Sequence, residues 1–168
     1  HCCTANGARN LYHVWDSIQT RENGWIKINL LLNKASPHLD IDSYLPASGK
    51  VVLHIKNAPA VMVCVPAWCT AAEMKVMVGG KVRRAVDQGR YISIEPLNPG
   101  ETVEINFPMV EQGVTRVIGD LPFRLRLRGS NVVDIEPPGV GVPLFTQIPK
   151  GELVARNRFI PAMQNLIW

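Results

Sequence analysis

The stretch Val51-Val52-Leu53-His54-Ile55, followed by Val61-Met62-Val63-Cys64-Val65, decides the fold of this 168-residue chain. In each run every second residue is apolar and most of these are branched. This period of two is typical of a strand that turns one face to a core. We therefore predict a strand over each run.

The same alternation recurs on both sides of this stretch, in three further sets of apolar residues. These are Ile26, Ile28, Leu30 and Leu32; Val103, Ile105 and Phe107; and Phe123, Leu125 and Leu127. Turn signals separate the strands, and Gly79-Gly80 joins Met74–Val78 to Lys81–Val86 as a predicted hairpin. Many short strands without a helical pattern between them indicate a mainly β, jelly-roll-like sandwich.

Only the N-terminal region has a helical period. Asn6 is a suitable N-cap, and apolar residues at three- and four-residue spacing predict a helix to about Arg21 that Gly24 ends. These apolar residues, which are typical of core packing, are Ala8, Leu11, Tyr12, Trp15 and Ile18. From about Pro137 the pattern becomes irregular. The apolar terminus, which includes Phe159 and Trp168, predicts a surface that covers it.

Composition excludes several classes of protein. With 46% apolar and 19% charged residues the chain is globular, and its net charge of +4 is too dispersed to indicate nucleic-acid binding. Charged residues or prolines interrupt every apolar run, so we expect a soluble protein without a membrane span. Four cysteines do not form a disulfide framework, and reduced thiols favour a cytoplasmic location. The start at His1, without Met or a signal segment, suggests processing or truncation.

Cys2 and Cys3, just before the predicted helix, are the residues with the strongest chemical potential. A helix N-terminus and a bound cation both favour the thiolate form, which is a nucleophile and a soft metal ligand. Zinc commonly takes four ligands, and this pair supplies two; His1 is a further candidate. Cys64 and Cys69, in apolar surroundings, are predicted to be small buried side chains.

Other polar groups have an ordinary interpretation. Arg124, Arg126 and Arg128 share one strand face, which we interpret as solvated in preference to an anion-binding groove. Four carboxylates lie near strand ends, but general acid and base roles across a bound sugar need a matched pair roughly 5–9.5 Å apart, which spacing in a sequence does not show. They are Asp40, Asp42, Asp134 and Glu136.

The N-terminal run Cys2-Cys3-Thr4-Ala5-Asn6-Gly7-Ala8-Arg9 resembles the cysteine motif of glycoside hydrolase family 127 (GH127), the β-L-arabinofuranosidases. Later matches follow in the order of that family's C-terminal part up to about Phe145. They are residues Leu30–Pro37, Val63–Trp68, Asn98–Val103 and Val132–Gly139. The cysteine motif is fairly specific, whereas each later match is weak alone.

This resemblance implies a domain division and a chemistry. Residues 1–23 would be the last part of an (α/α) toroid catalytic domain, and residues 24–168 a C-terminal β-sandwich region with an irregular tail from about 137. Cys2 matches the family's nucleophile and zinc ligand, and Cys3 a second zinc ligand. The other zinc ligands and the acid/base residue would lie upstream, so the missing catalytic domain would be an intramolecular partner. The complete enzyme would release β-L-arabinofuranose, or a related terminal sugar, with retention, and this chain alone would be inactive.

Two alternatives belong to other classes. A noncatalytic carbohydrate-binding or structural sandwich would present a row of aromatic side chains, for which Trp25, Tyr44, Trp68 and Tyr91 are candidates that we interpret as packing residues. A thiol redox protein would use Cys2 and Cys3, but adjacent cysteines have poor geometry for a reversible disulfide. We also expect the residues before about Asn23 to be loosely held when the toroid is absent.

Overall fold

The computed structural model describes residues 2–138, which form one helix, thirteen strands and one short 3₁₀ turn at Ala71–Glu73. The helix α1 spans Cys2–Ser17. The strands are β1 Gln19–Glu22, β2 Trp25–Ile28, β3 Leu39–Ser43, β4 Lys50–Ile55, β5 Val61–Cys64, β6 Lys75–Val78, β7 Lys81–Arg83, β8 Val86–Asp87, β9 Tyr91–Ile94, β10 Thr102–Asn106, β11 Glu111–Ile118, β12 Leu121–Arg128 and β13 Asn131–Glu136. The prediction of a mainly β chain with one N-terminal helix is confirmed.

The strands form three sheets. The first has the order β1-β2-β5-β9-β8 and is antiparallel except for the parallel pair β2 and β5. The second, β3-β4-β10-β6-β7, is antiparallel throughout. The third contains β11, β12 and β13, also antiparallel.

The core lies between the first two sheets, and alternating residues of each strand supply it. Its fully buried side chains come from both sheets: Ile26, Ile28, Val61, Val63, Ile92 and Ile94 from the first, and Leu39, Ile41, Val51, Leu53, Val103 and Ile105 from the second. Each buried aliphatic side chain stabilises the fold by about 1.5–3 kcal/mol relative to exposure. The opening stretch of the sequence thus contributes one central strand to each layer of the sandwich.

Local chemistry shifts the helix from its predicted position. It begins at Cys2, not Asn6, and ends at Ser17, because the residues up to Glu22 pair with β2 as a strand. Asn23 and Gly24 join the two strands with φ of 51° and 84°, the left-handed conformations of a two-residue hairpin turn. The Asn-Gly turn therefore overrides the helical period after Ser17. The proposed boundary at residue 23 stays a prediction, and β1 and β2 pair across it.

Two further strand predictions have different outcomes. The hairpin around Gly79-Gly80 is confirmed, since β6 pairs with β7 and both glycines have positive φ. The strand predicted from Ile26 to Leu32 corresponds to β2, which ends at Ile28. The predicted inward positions of Leu30 and Leu32 are therefore wrong, and both side chains are exposed. The chain leaves the strand direction there, where the Asn29 side-chain nitrogen Nδ2 donates to the Ser17 carbonyl at 2.9 Å. This hydrogen bond connects the end of β2 to the end of the helix.

Candidate active-site cysteines and the helix that carries them

The two candidate cysteines occupy the first turn of α1. Cys2 is its first residue, and the Cys3 side chain is exposed. The first backbone N–H groups of a helix have no partner within the helix, so this end carries a partial positive charge. No acidic side chain belongs to the first turn. Both candidate cysteines therefore lie inside the first turn of the helix and not before it, which is the position predicted from the sequence.

The donor set of this turn fits a soft metal only in part. Cysteine sulfur is the ligand type that zinc prefers, and Cys2 and Cys3 are the residues that would hold the ion. Among residues 2–138, no group of three or more His, Cys, Asp and Glu side chains is placed to hold a metal ion. His1, the third candidate ligand, lies outside the described residues.

The rest of the helix presents apolar side chains to solvent. Residues 6–17 are exposed, with 72% of Leu11 and 50% of Trp15 accessible, and Tyr12 and Val14 are exposed as well. The predicted spacing is therefore present, but the structure does not bury this face against the sandwich. Ile18, just after the helix, is the residue of the predicted stripe that enters the core.

The helix is attached to the sandwich through its C-terminal end, by a residue that the sequence analysis missed. Lys34 donates from Nζ to the carbonyl oxygens of Trp15 and Asp16, each at 3.0 Å, and its Nζ lies 4.4 Å from the centre of the Trp15 ring. Burial lowers the pKa of Lys34, and the nearby Asp16 carboxylate opposes that shift. Lys34 neutralises the negative end of the helix dipole, a role that has no signal in sequence spacing.

A cleft of about 310 Å³ lies beside this attachment, at the opposite end of the helix from the cysteines. Trp15, Gln19, Lys34 and His38 are among its lining residues. Gln19 Oε1 and His38 Nδ1 are buried without a hydrogen-bond partner in the described part of the chain. A helix of 16 residues is about 24 Å long, so the cleft is remote from Cys2 and Cys3.

The other two cysteines are confirmed as packing residues. Cys64 and Cys69 are free thiols that contact the core, and both are half-buried. Burial raises the pKa of Cys64 to about 11, although the positive charge of Arg90 acts in the opposite direction. The pKa of Cys69 is also raised, mainly by burial and to a smaller extent by the negative charge of Glu73. Protonated, enclosed thiols are poor nucleophiles and poor metal ligands, so the structure provides no chemical role for this pair.

The carboxylates of β3 are engaged in structural pairs. Asp40 Oδ1 accepts from Lys56 Nζ at 2.6 Å, and Asp42 Oδ2 lies 2.9 Å from His54 Nε2. Both carboxylates are almost completely buried. A buried carboxylate needs such partners to offset its lost hydration, and these contacts account for the two residues without a catalytic role.

The arginine-rich face of β12 is solvated, as predicted. Arg124 and Arg126 face Glu136 and Asp134 on β13, with nitrogen–oxygen distances of 3.6 Å in both pairs. All four side chains are more than half exposed, so each pair contributes at most about 1 kcal/mol. The cross-strand carboxylates neutralise this face, which disfavours an anion-binding groove.

The four aromatic residues considered for sugar stacking are half-buried. Trp68 Nε1 donates to the Pro108 carbonyl at 3.0 Å, and Tyr91 donates its hydroxyl to Asn29 Oδ1 at 2.8 Å. Lys50 Nζ lies 5.5 Å from the centre of the Tyr44 ring. The packing interpretation is supported, and these residues do not form an open row for a sugar chain.

Comparison with solved structures places the fold. A GH127 β-L-arabinofuranosidase from Geobacillus stearothermophilus T6 matches with a TM-score of 0.58 and 19% identity over 78% of this chain. The chain has the fold of one part of the GH127 enzymes. A structure described as a glycoside hydrolase matches with a TM-score of 0.61 and 18% identity over 78% of this chain. A further GH127 β-arabinofuranosidase matches with a TM-score of 0.56 and 18% identity over 68% of this chain.

The GH127 match agrees with the resemblance found in the sequence. This chain spans only 23–24% of the length of those three structures. No protein-family model and no curated protein matches the sequence. Among the described residues, no helix is long and apolar enough to cross a membrane.

Proposed function

We propose that this chain is the C-terminal part of a retaining glycoside hydrolase that releases β-L-arabinofuranose, or a related terminal sugar, with Cys2 as nucleophile. The observation that carries the proposal is the coincidence of a GH127-like fold with an adjacent cysteine pair in the first turn of α1, the one α-helix among residues 2–138. Apolar strands are common in unrelated proteins, whereas two adjacent cysteines at the start of a helix are not.

The chemistry proceeds by two displacements. The Cys2 thiolate attacks the anomeric carbon from the face opposite the glycosidic oxygen, the bond to that oxygen breaks, and the leaving group takes a proton from an acid outside the described residues. The conjugate base of that acid then takes a proton from a water molecule, whose oxygen attacks the same carbon while the carbon–sulfur bond breaks and the Cys2 thiolate is released, so that two inversions retain the configuration. Zinc, when bound, would favour the thiolate form, and Cys3 would help to hold the ion.

The exposed helix supports the idea that this chain acts within a larger protein. Leu11, Tyr12, Val14 and Trp15 present an apolar strip that no described residue buries. Such a strip, on the helix that carries the cysteine pair, fits a surface that packs against the missing catalytic domain. We therefore propose that the chain is inactive alone because neither a sugar pocket nor an acid/base residue is complete without that domain.

The test compares hydrolysis of p-nitrophenyl β-L-arabinofuranoside, with zinc and reductant, by this chain and by the longer protein that includes the upstream residues. We expect activity in the longer protein only, and a loss of at least roughly 10³-fold for Cys2→Ser. Cys69→Ser is the matched control, because Cys69 is a thiol outside the helix, and should retain activity.

Two readouts separate the role of Cys2 from a folding defect. Mass spectrometry of the quenched reaction should find one pentosyl group on the Cys2 peptide, and Cys2→Ser should retain the far-ultraviolet circular dichroism of the parent. Full activity of folded Cys2→Ser would exclude Cys2 as nucleophile. Absence of activity in the longer protein would remove the arabinofuranoside as substrate and lead to tests of other furanosides and pyranosides.

A further inference from the structure

The third sheet has one charged face and one apolar face. On β12, Phe123, Leu125 and Leu127 are half-buried, whereas Arg124 and Arg126 between them are exposed. The pairing register adds Val114 from β11 and Ile135 from β13, both opposite Leu125. The same register places Gln112, Arg116 and Ile118 of β11 on this side as well. The apolar face is named for its apolar members, which are Val114, Ile118, Leu121, Phe123, Leu125, Leu127 and Ile135.

This face does not belong to the sandwich core. None of its side chains is part of the buried cluster or of the apolar residues packed against that cluster. The sheet contacts the sandwich near the β12–β13 turn, where Gly129 approaches Trp68 so closely that an added Cβ would lie 3.1 Å from the indole, and where Arg128 donates to the Ala47 carbonyl at 3.4 Å. At the other end Leu121 is 62% exposed.

Because one face of this sheet is charged and the other is mainly apolar, only the apolar face needs another layer of protein packed against it. The charged face is satisfied by water and by cross-strand ion pairs between β12 and β13. A three-stranded sheet needs its apolar face packed against another layer to be stable, and sheets pack at about 10 Å across such a face. The described residues provide no such layer.

We propose that residues 139–168 of the same chain cover the apolar face. This segment starts three residues after β13, the edge strand, so its tether holds it near the face at an effective concentration in the millimolar range for a short flexible connection. Its thirty residues reach roughly 100 Å when extended, against about 26 Å for an eight-residue strand such as β12. One tethered segment is long enough to cross the face more than once.

The composition of the segment matches an apolar partner. It carries apolar groups at Leu144-Phe145, Phe159-Ile160 and Leu166-Ile167-Trp168, and its charged residues lie between 150 and 158. The one charged side chain on this face, Arg116 opposite Phe123, is exposed, so its guanidinium group stays in water while apolar groups dock beside it. A second copy of the chain lacks the advantage of the tether at low concentration.

Hydrogen exchange tests the proposal on the full chain and on a chain that ends at Pro138. We expect the amides of 121–128 to exchange at least tenfold faster in the shortened chain, while those of 50–55 in the sandwich core do not change. A synthetic peptide of residues 139–168, added in excess, should restore the slow exchange. Unchanged exchange on shortening would overturn the proposal, whether the face is bare or covered by another partner.

Two point variants connect the effect to the face. Leu125→Glu in the full chain should accelerate exchange in 121–128 as shortening does, and should add little in the shortened chain, where the cover is already absent. Thr115→Glu, on the charged face opposite Arg124, is the matched control and should leave exchange unchanged. Sedimentation velocity should show a monomer in both; a dimer of the full chain that Leu125→Glu dissociates, with no effect of shortening, would assign the face to a second copy and overturn the proposal.

Discussion

Replacement of Lys34 by methionine should loosen the helix that carries Cys2 while the sandwich remains folded. Methionine preserves an apolar stem against Trp15 but removes the ammonium group that donates to two helix carbonyls at 3.0 Å. Far from this site, Lys81→Met in the β6–β7 hairpin removes an exposed ammonium and serves as the control.

The magnitude follows from the contacts that are lost. Hydrogen bonds to a charged group contribute about 1.5–3 kcal/mol net, and an ammonium over an indole adds about 0.5–2 kcal/mol. Burial of the ammonium opposes these gains, as the lowered pKa of Lys34 shows. A net loss of about 2 kcal/mol remains, which corresponds to roughly a 30-fold increase in the opening equilibrium of the attachment.

Hydrogen exchange measured by mass spectrometry provides the assay. The peptide that contains Val14–Ser17 should exchange roughly 30-fold faster in Lys34→Met, and peptides from β4 and β10 should not change. Earlier turns, around Leu11, should already exchange fast in the parent chain because their side chains are exposed. Equal exchange of Val14–Ser17 in the parent and Lys34→Met would refute the attachment role, as would an equal acceleration in Lys81→Met.

Three further predictions concern the sandwich itself. Because burial raises the pKa of Cys64 from 9.0 to about 11, we expect it to react about 100-fold more slowly with iodoacetamide near pH 8 than an ordinary thiol, and denaturation should abolish the difference. Hydrogen bonds from Asn106 and Lys50 lower the pKa of Glu104 below 4.5, so the stabilisation present above pH 4.5 should be lost as pH falls through the folded-state pKa; urea unfolding of Glu104→Gln should show a weaker acid dependence. Leu53→Ala empties a fully buried position and should reduce the free energy of unfolding by about 2–5 kcal/mol, and a loss below 1 kcal/mol would contradict the central place of β4.

The strand prediction succeeded where local pattern and burial coincide. Val51, Leu53, Val61 and Val63 alternate in the sequence and are fully buried, because a pleated strand places every second side chain on the core face. The same rule predicted an inward face at Leu125 but not what that face packs against. Alternation records which side of a strand is apolar, whereas the opposing layer is set by long-range contacts.

The helix and its surroundings were less predictable for physical reasons. Ile18 continued the helical spacing, yet the Asn23-Gly24 turn placed the residues before it in a strand, because two left-handed residues match the twist of a hairpin. Lys34 reaches the helix end from 18 and 19 residues away, a distance at which no sequence period operates. The chemical roles of Cys2 and Cys3 stay a prediction, and the structure adds only that both residues lie in the first turn of the helix.

Because α1 is attached to the sandwich at its last turn, its N-terminal end is held in place through the length of the helix. Its 16 residues extend about 24 Å from the Lys34 contact, so a tilt of about 5° there displaces Cys2 by about 2 Å. Attack on a carbon atom tolerates errors nearer to 1 Å, and misplacement on that scale costs roughly 100-fold in rate. If Cys2 is the nucleophile, its position relative to the anomeric carbon therefore depends on contacts that hold the helix along the exposed strip that includes Leu11 and Val14. Substitutions in this strip should lower the turnover number of the complete enzyme although these residues do not contact the substrate.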